Sequence, residues 1–179
     1  MSEKYKFLDK KRIYFTTSTI VFWIDLFTRK ELKHVIVESL RYCQKELIVH
    51  AWCLMPSHLH MIVSSETSDL SSIFADFKKF TAKEIVKTIK TMNESRSEWL
   101  LRAFENAGKK ITRVSDYKVW QDGNHPILLE SADIVKQKIN YIHMNPVNDE
   151  IVDEPQYYWY SSARNYQNDF GLLKVSCID

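Results

Sequence analysis

His58 and His60 stand two residues apart in the run Ser57-His58-Leu59-His60. On a strand both side chains project from one face with their Cα atoms about 6.6–6.8 Å apart, so two imidazoles can converge on one cation. The same spacing fits two half-exposed strand histidines, and a metal centre needs a further partner. Tyr141 and Asn145 supply a candidate. Four apart on a helix, they share a face, where a carboxamide oxygen can complete a metal shell beside a phenol. The plain alternative is a tyrosine at the edge of the core and an asparagine capping a helix end. A phenol, with an unperturbed pKa of about 10, is a poor nucleophile at neutral pH; a tyrosine that does chemistry needs a cation or a base beside it.

The elements that must position these groups can be read from hydrophobic period and turn residues. Residues 12–27 are rich in Thr, Ile, Val, Tyr, Phe and Trp without Gly or Pro, which predicts a first strand. Leu32, Val35, Ile36 and Leu40 recur at helical spacing and predict an amphipathic helix over 30–46. Residues 47–55 and 58–64 read as strands joined through Pro56-Ser57 into an antiparallel hairpin. Asp69 or Ser68 can cap a helix that runs to about residue 92, with Phe74, Phe77, Ile85 and Ile89 on its inner stripe. A further helix over 93–110 closes at Gly108; a fourth strand is expected over 119–129, and a helix from about 131 to 144 that Pro146 ends. The order β-α-β-β-α-(α)-β-α predicts an α+β, ferredoxin-like split βαβ fold. It would have a four-stranded antiparallel sheet, helices on one face and one inserted helix.

Composition bounds the function classes. A chain of 179 residues with 45% hydrophobic content suits one buried core, so a single domain over 1–179 is expected. The 27% charged and 13% aromatic fractions exclude a disordered chain, and no run approaches the roughly 20 apolar residues of a membrane span. Cys43, Cys53 and Cys177 form no CxxC pair, which argues against a disulfide framework or structural zinc. With no export signal, a soluble chain in a reducing cytoplasm is expected. Only three glycines and no GxxxxGK[ST] loop argue against a nucleotide cofactor. Net charge is only +2, but between Lys78 and Arg113 ten Lys/Arg face four Glu. That segment either faces phosphates or is an ordinary solvated helix surface.

Several segments, in order, resemble the IS200-like single-tyrosine transposases, in particular the REP-associated tyrosine transposase branch. Met55-Pro56-Ser57-His58-Leu59-His60-Met61-Ile62-Val63 is similar to the family's His-hydrophobe-His motif, with Ser57 where many relatives have Asn. Asp76-Phe77-Lys78-Lys79-Phe80-Thr81 resembles its Phe-Lys segment, and Val119-Trp120-Gln121-Asp122-Gly123-Asn124-His125 its Trp-Gln strand. Tyr141-Ile142-His143-Met144-Asn145-Pro146-Val147 is similar to its Tyr-Ile-x-x-Asn-Pro-Val helix end, and Trp159-Tyr160-Ser161-Ser162 to its tail. The likeness covers about residues 12–166; residues 93–116 are more than a compact core needs and read as an insertion, and 148–179 as a C-terminal tail.

The resemblance implies a ferredoxin-like fold and a single-tyrosine HUH endonuclease that nicks and rejoins single-stranded or hairpin DNA through a 5′-phosphotyrosine and acts as a homodimer. Carried over by position, Tyr141 is the nucleophile, His58 and His60 hold Mg2+ or Mn2+, and Asn145 is a candidate third ligand. Lys78, Lys79, Lys83, Trp120, Gln121 and His125 are the expected DNA contacts, and His143 reads as structural or as a phosphate contact. Two other classes stay open: a domesticated hairpin-binding protein that does not cut, and a metal-dependent phosphodiesterase that uses water in place of tyrosine.

Overall fold

The computed structural model describes residues 7, 11–93, 95–109 and 117–178. Four strands, β1 (Tyr14–Thr19), β2 (Ile48–Leu54), β3 (His58–Ser64) and β4 (Ile127–Leu128), form an antiparallel sheet in the order β2-β3-β1-β4. Helices α1 (Lys30–Cys43), α2 (Leu70–Thr91), α3 (Ser97–Lys109) and α4 (Ala132–Asn148) follow β1, β3, α2 and β4. This is the expected ferredoxin-like α+β arrangement, with α3 as the inserted helix. Of the insertion expected over 93–116, residues 94 and 110–116 lie outside the described residues.

Strand alternation divides the core in two. Leu59, Met61 and Val63 of β3 face α1, α2 and α3, whereas Ile62 faces the other way, with Phe15, Ala51 and Cys53, against Val135, Ile139 and Ile142 of α4. The expectation of helices on one face therefore fails for α4: the sheet is apolar on both sides, and each side needs a cover. In β2 the pairing shifts between Val49 and Ala51, leaving His50 as an extra residue. That bulge changes the phase, so Val49 lies in the core beneath α1 and α2 while Ala51 lies in the one beneath α4.

Three boundaries differ from the sequence expectation for local reasons. β1 stops at Thr19, before a tight turn in which Phe22 and Trp23 take φ of 58° and 56°. β4 shrinks to two residues because Gly123 (φ 76°) and His125 (φ 43°) turn the chain and Pro126 has no N–H to donate; upstream, the Ile20–Trp120 bridge and a bond from Thr17 N–H to Asn124 O at 2.9 Å hold the segment to β1. Pro146 lies inside the last turn of α4 and does not end it, since the helix runs to Asn148 and Asp149 N–H still reaches Asn145 O at 3.0 Å. Gly108 likewise sits buried inside α3 and not beyond its end. Asp69, not Ser68, caps α2, its carboxylate accepting from the N–H groups of Ser71 and Ser72.

The tail after α4 runs along the outer edge of β2. Ser162 N–H donates to Trp52 O at 2.9 Å, Leu54 N–H to Tyr160 O at 2.9 Å and Ser176 N–H to Val49 O at 2.9 Å. An edge strand that would otherwise present unpaired backbone groups is thereby covered.

Candidate active site

The hairpin and the strand register set the two histidines. Met55 N–H donates to His58 O at 2.8 Å across Pro56-Ser57, and β1 places Thr19 opposite His58 and Thr17 opposite His60. The imidazole rings lie 4.6 Å apart, centre to centre, at 73°. Each Nδ1 already has a hydroxyl partner: Thr17 Oγ1 at 2.8 Å for His60 and Ser57 Oγ at 3.0 Å for His58. When Nδ1–H donates to that oxygen, Nε2 is left with its lone pair as the ligating atom. Burial pushes the His60 pKa down to about 3, with His58 and Lys138 adding to the effect, and burial lowers His58 against the opposing charge of Asp149. Both rings are therefore neutral at physiological pH, the state a cation requires.

Tyr141 lies on the same face of the sheet. Its ring centre is 5.4 Å from that of His60 and 6.0 Å from that of Phe15, and it is 45% exposed. The Lys138 ammonium sits 5.2 Å from the Tyr141 ring centre and 4.8 Å from that of Phe15. Asn145, one turn on, donates its amide N–H to Tyr141 O at 2.6 Å, which leaves its carbonyl oxygen as an acceptor. Asp149 follows at the C-cap, and its charge reaches His58. Sequence reasoning missed Lys138 and Asp149. The signal was present: positions 138, 141, 145 and 149 are spaced three and four apart along one helix face.

Among the described residues no three His, Cys, Asp or Glu side chains gather closely enough to hold a metal ion by themselves. Two neutral imidazoles with Nδ1 engaged and Nε2 free are a donor set that suits a divalent cation, whose remaining positions other ligands would have to fill.

The expected DNA contacts divide. Trp120 is 5% exposed and its indole N–H donates to Thr81 Oγ1 at 2.9 Å, so it is a core residue and offers no face to a base. Gln121 donates to Ile20 O at 3.1 Å, and Lys78 to Gln121 O at 3.2 Å and to Gly123 O; both tie the 121–123 loop to the body. Burial lowers the Lys78 pKa to about 8. Lys79 and Lys83 are exposed, and with Lys87 and Lys90 they line a groove of about 1130 Å³ between α2 and residues 117–124. That groove lies on the α2 side of the sheet, away from Tyr141. His125 is exposed at the turn before Pro126. His143 is structural: it is buried, hydrogen-bonded to Ser162 Oγ at 2.8 Å and packed edge-on against Tyr166.

No protein-family model and no curated protein matches the chain. Among solved structures, a crystal structure of a candidate transposase from Deinococcus radiodurans gives a TM-score of 0.43 at 12% identity, over 78% of this chain and 94% of that one. A REP-associated tyrosine transposase bound to a REP hairpin gives a TM-score of 0.62 at 17% identity, over 98% of this chain and 92% of the other. Nearly the whole of this chain thus follows the fold of a REP-associated tyrosine transposase.

Proposed function

We propose that this protein is a metal-dependent transposase that nicks and rejoins single-stranded DNA next to a hairpin, with Tyr141 as nucleophile. The observation that carries the reading is the placement of a half-exposed tyrosine 5.4 Å from one of two paired, neutral histidines on one face of the sheet. The fold shared with a transposase solved on a REP hairpin supports the choice of substrate.

Tyr141 Oη attacks the scissile phosphorus and gives its proton to solvent, the P–O3′ bond breaks, and the departing 3′-oxygen takes a proton from solvent to leave as a 3′-hydroxyl, so the 5′-phosphate remains on the tyrosine. A second strand's 3′-hydroxyl reverses the step and joins DNA without a nucleotide cofactor. His58, His60 and the Asn145 oxygen would hold Mg2+ or Mn2+, which when bound supplies Lewis-acid polarisation of the phosphate. Lys138, beside the phenol ring, places a positive charge next to the negative charge that builds on the phosphoryl oxygens. Phe15 and His60 pack against the Tyr141 ring and restrict its approach to the phosphate.

The test uses hairpin DNA with single-stranded flanks, labelled on the 3′ side of the expected cut, with Mn2+. Wild-type protein should give a label that stays with the denatured chain, and Tyr141→Phe should give none. Cleavage retained in Tyr141→Phe would assign the site to a water-using phosphodiesterase, and binding without any adduct would leave a hairpin-binding protein.

A further inference from the structure

Phe22 and Trp23 are two large aromatics placed where neither folding nor packing calls for them. They are 59% and 62% exposed, and their consecutive φ values of 58° and 56° lie in the left-handed region that bulky side chains rarely adopt. Their neighbours do the opposite: Ile20, Val21, Ile24 and Leu26 are all buried. The turn is also pinned at each end. Ile20 N–H donates to Ser57 O at 2.9 Å, Phe27 N–H to Pro56 O at 2.8 Å, and Asp25 takes a 2.8 Å ion pair from Arg96. Those anchors join it to the two residues that precede His58, and the Trp23 ring stands 5.8 Å from the His58 ring at 70°.

We infer that Phe22 and Trp23 form a stacking platform for unpaired nucleobases of the DNA strand whose phosphate lies at His58 and His60; this rests on the reading of the site given above. Strain held by a well-anchored turn, with both aromatics turned to solvent, marks a functional constraint more than a packing one. The distance suits the occupant. The Trp23 ring centre is 5.8 Å from that of His58, so a base stacked on it belongs to a nucleotide next to, or one removed from, a phosphate held at the histidines. Every base has a π-face, so such a surface holds an unpaired strand without reading its sequence, and it leaves a base-paired stem unrecognised. Trp120, one of the expected DNA contacts, is buried and offers no face for stacking.

The experiment compares metal-free binding of Tyr141→Phe protein to a hairpin with a single-stranded flank, to the same DNA with abasic sites in the flank, and to the blunt hairpin. Abasic substitution next to the cleavage position should weaken binding roughly 5- to 100-fold. Trp23→Gly and Phe22→Gly should lose a similar factor on the flanked DNA, bind the blunt hairpin as the parent does, and keep or raise the thermal midpoint, because glycine relieves the left-handed backbone. Equal affinity for intact and abasic flanks overturns the proposal, and that arm needs no variant to fold. Variants that bind flanked DNA normally but change the oligomeric state would assign the surface to a second copy of the chain. The two readings fail separately. An adduct formed with abasic-insensitive binding removes the platform alone, and abasic-sensitive binding without an adduct removes the nicking alone.

Discussion

His60 shows how one hydroxyl can decide the chemistry of a ring. Its Nδ1 is 2.8 Å from Thr17 Oγ1 across the β1–β3 ladder; the contact aims the ring, and with the hydroxyl accepting from Nδ1–H it leaves the Nε2 lone pair free. Thr17→Val keeps the volume and the strand propensity but removes the oxygen. We expect Mn2+ affinity, measured by titration calorimetry on the DNA-free protein, to fall roughly 10- to 100-fold while the thermal midpoint stays close to that of the parent. An unchanged affinity would mean that Thr17 does not orient His60. The pair of histidines was legible in the sequence because a strand period of two puts both on one face. Thr17 was not, since it lies 43 positions away and meets His60 only through the register of the sheet. Lys138 and Asp149 were one step from legible: they share the helix stripe of Tyr141 and Asn145, but a stripe does not say what it faces.

Elements carry the next level of control, and here the tail after α4 matters most. Ser162 closes a small buried network in which its Oγ accepts from Trp52 N–H at 2.9 Å and pairs with His143 Nε2 at 2.8 Å. Removing that oxygen takes the partner from a buried strand N–H and from a buried imidazole. Ser162→Ala should therefore lower unfolding free energy by about 1–3 kcal/mol, read from the urea midpoint, with the slope unchanged. Because His143 lies two residues from Tyr141 on α4, the same variant should also slow adduct formation, whereas a purely peripheral tail would leave the rate alone. The helices and the β2–β3 hairpin were legible from period, caps and the Pro56-Ser57 turn. The shortened β4 and the passage of Pro146 inside α4 were not. In the first case two left-handed residues and a proline interrupt a run whose side chains favour a strand. In the second, a proline in the last turn forfeits one backbone bond while tertiary packing holds the helix, since Ile139, Ile142 and Pro146 are all buried. The basic stretch on α2 was visible as charge, but only the fold shows Lys78 turned inward to hold the 121–123 loop and Lys79, Lys83, Lys87 and Lys90 left along the groove.

At the scale of the whole molecule, the sheet that brings the site together also buries imidazoles on it, which ties stability to pH. Burial holds His143 at about 4 and, with help from His58 and Lys138, His60 at about 3, against 6.5 for a free imidazole. A group whose pKa is lower in the folded chain binds fewer protons there than in the unfolded chain, so stability rises with pH across the interval between the two values. For His143 that interval runs from about 4 to 6.5, and its contribution is complete above 6.5 and lost as the pH falls through 4. At about 1.4 kcal/mol per pKa unit the loss is on the order of 3 kcal/mol, a large share of the 5–15 kcal/mol that holds an ordinary domain. The urea midpoint of the metal-free protein should therefore fall steadily from pH 6.5 to pH 4. His143→Gln, which cannot take up a proton, should show a lower midpoint at pH 7 but a shallower decline below 6.5. A parallel decline in both proteins would place the acid sensitivity elsewhere. The neutral form is the one both roles require: His143 can pack from the buried side of α4 against Ser162 and Tyr166 only without a buried charge, and His60 can offer a lone pair only without a proton. Acid should thus remove the metal site and the support beneath the tyrosine helix together, and adduct formation should fall at least as steeply with pH as the urea midpoint does.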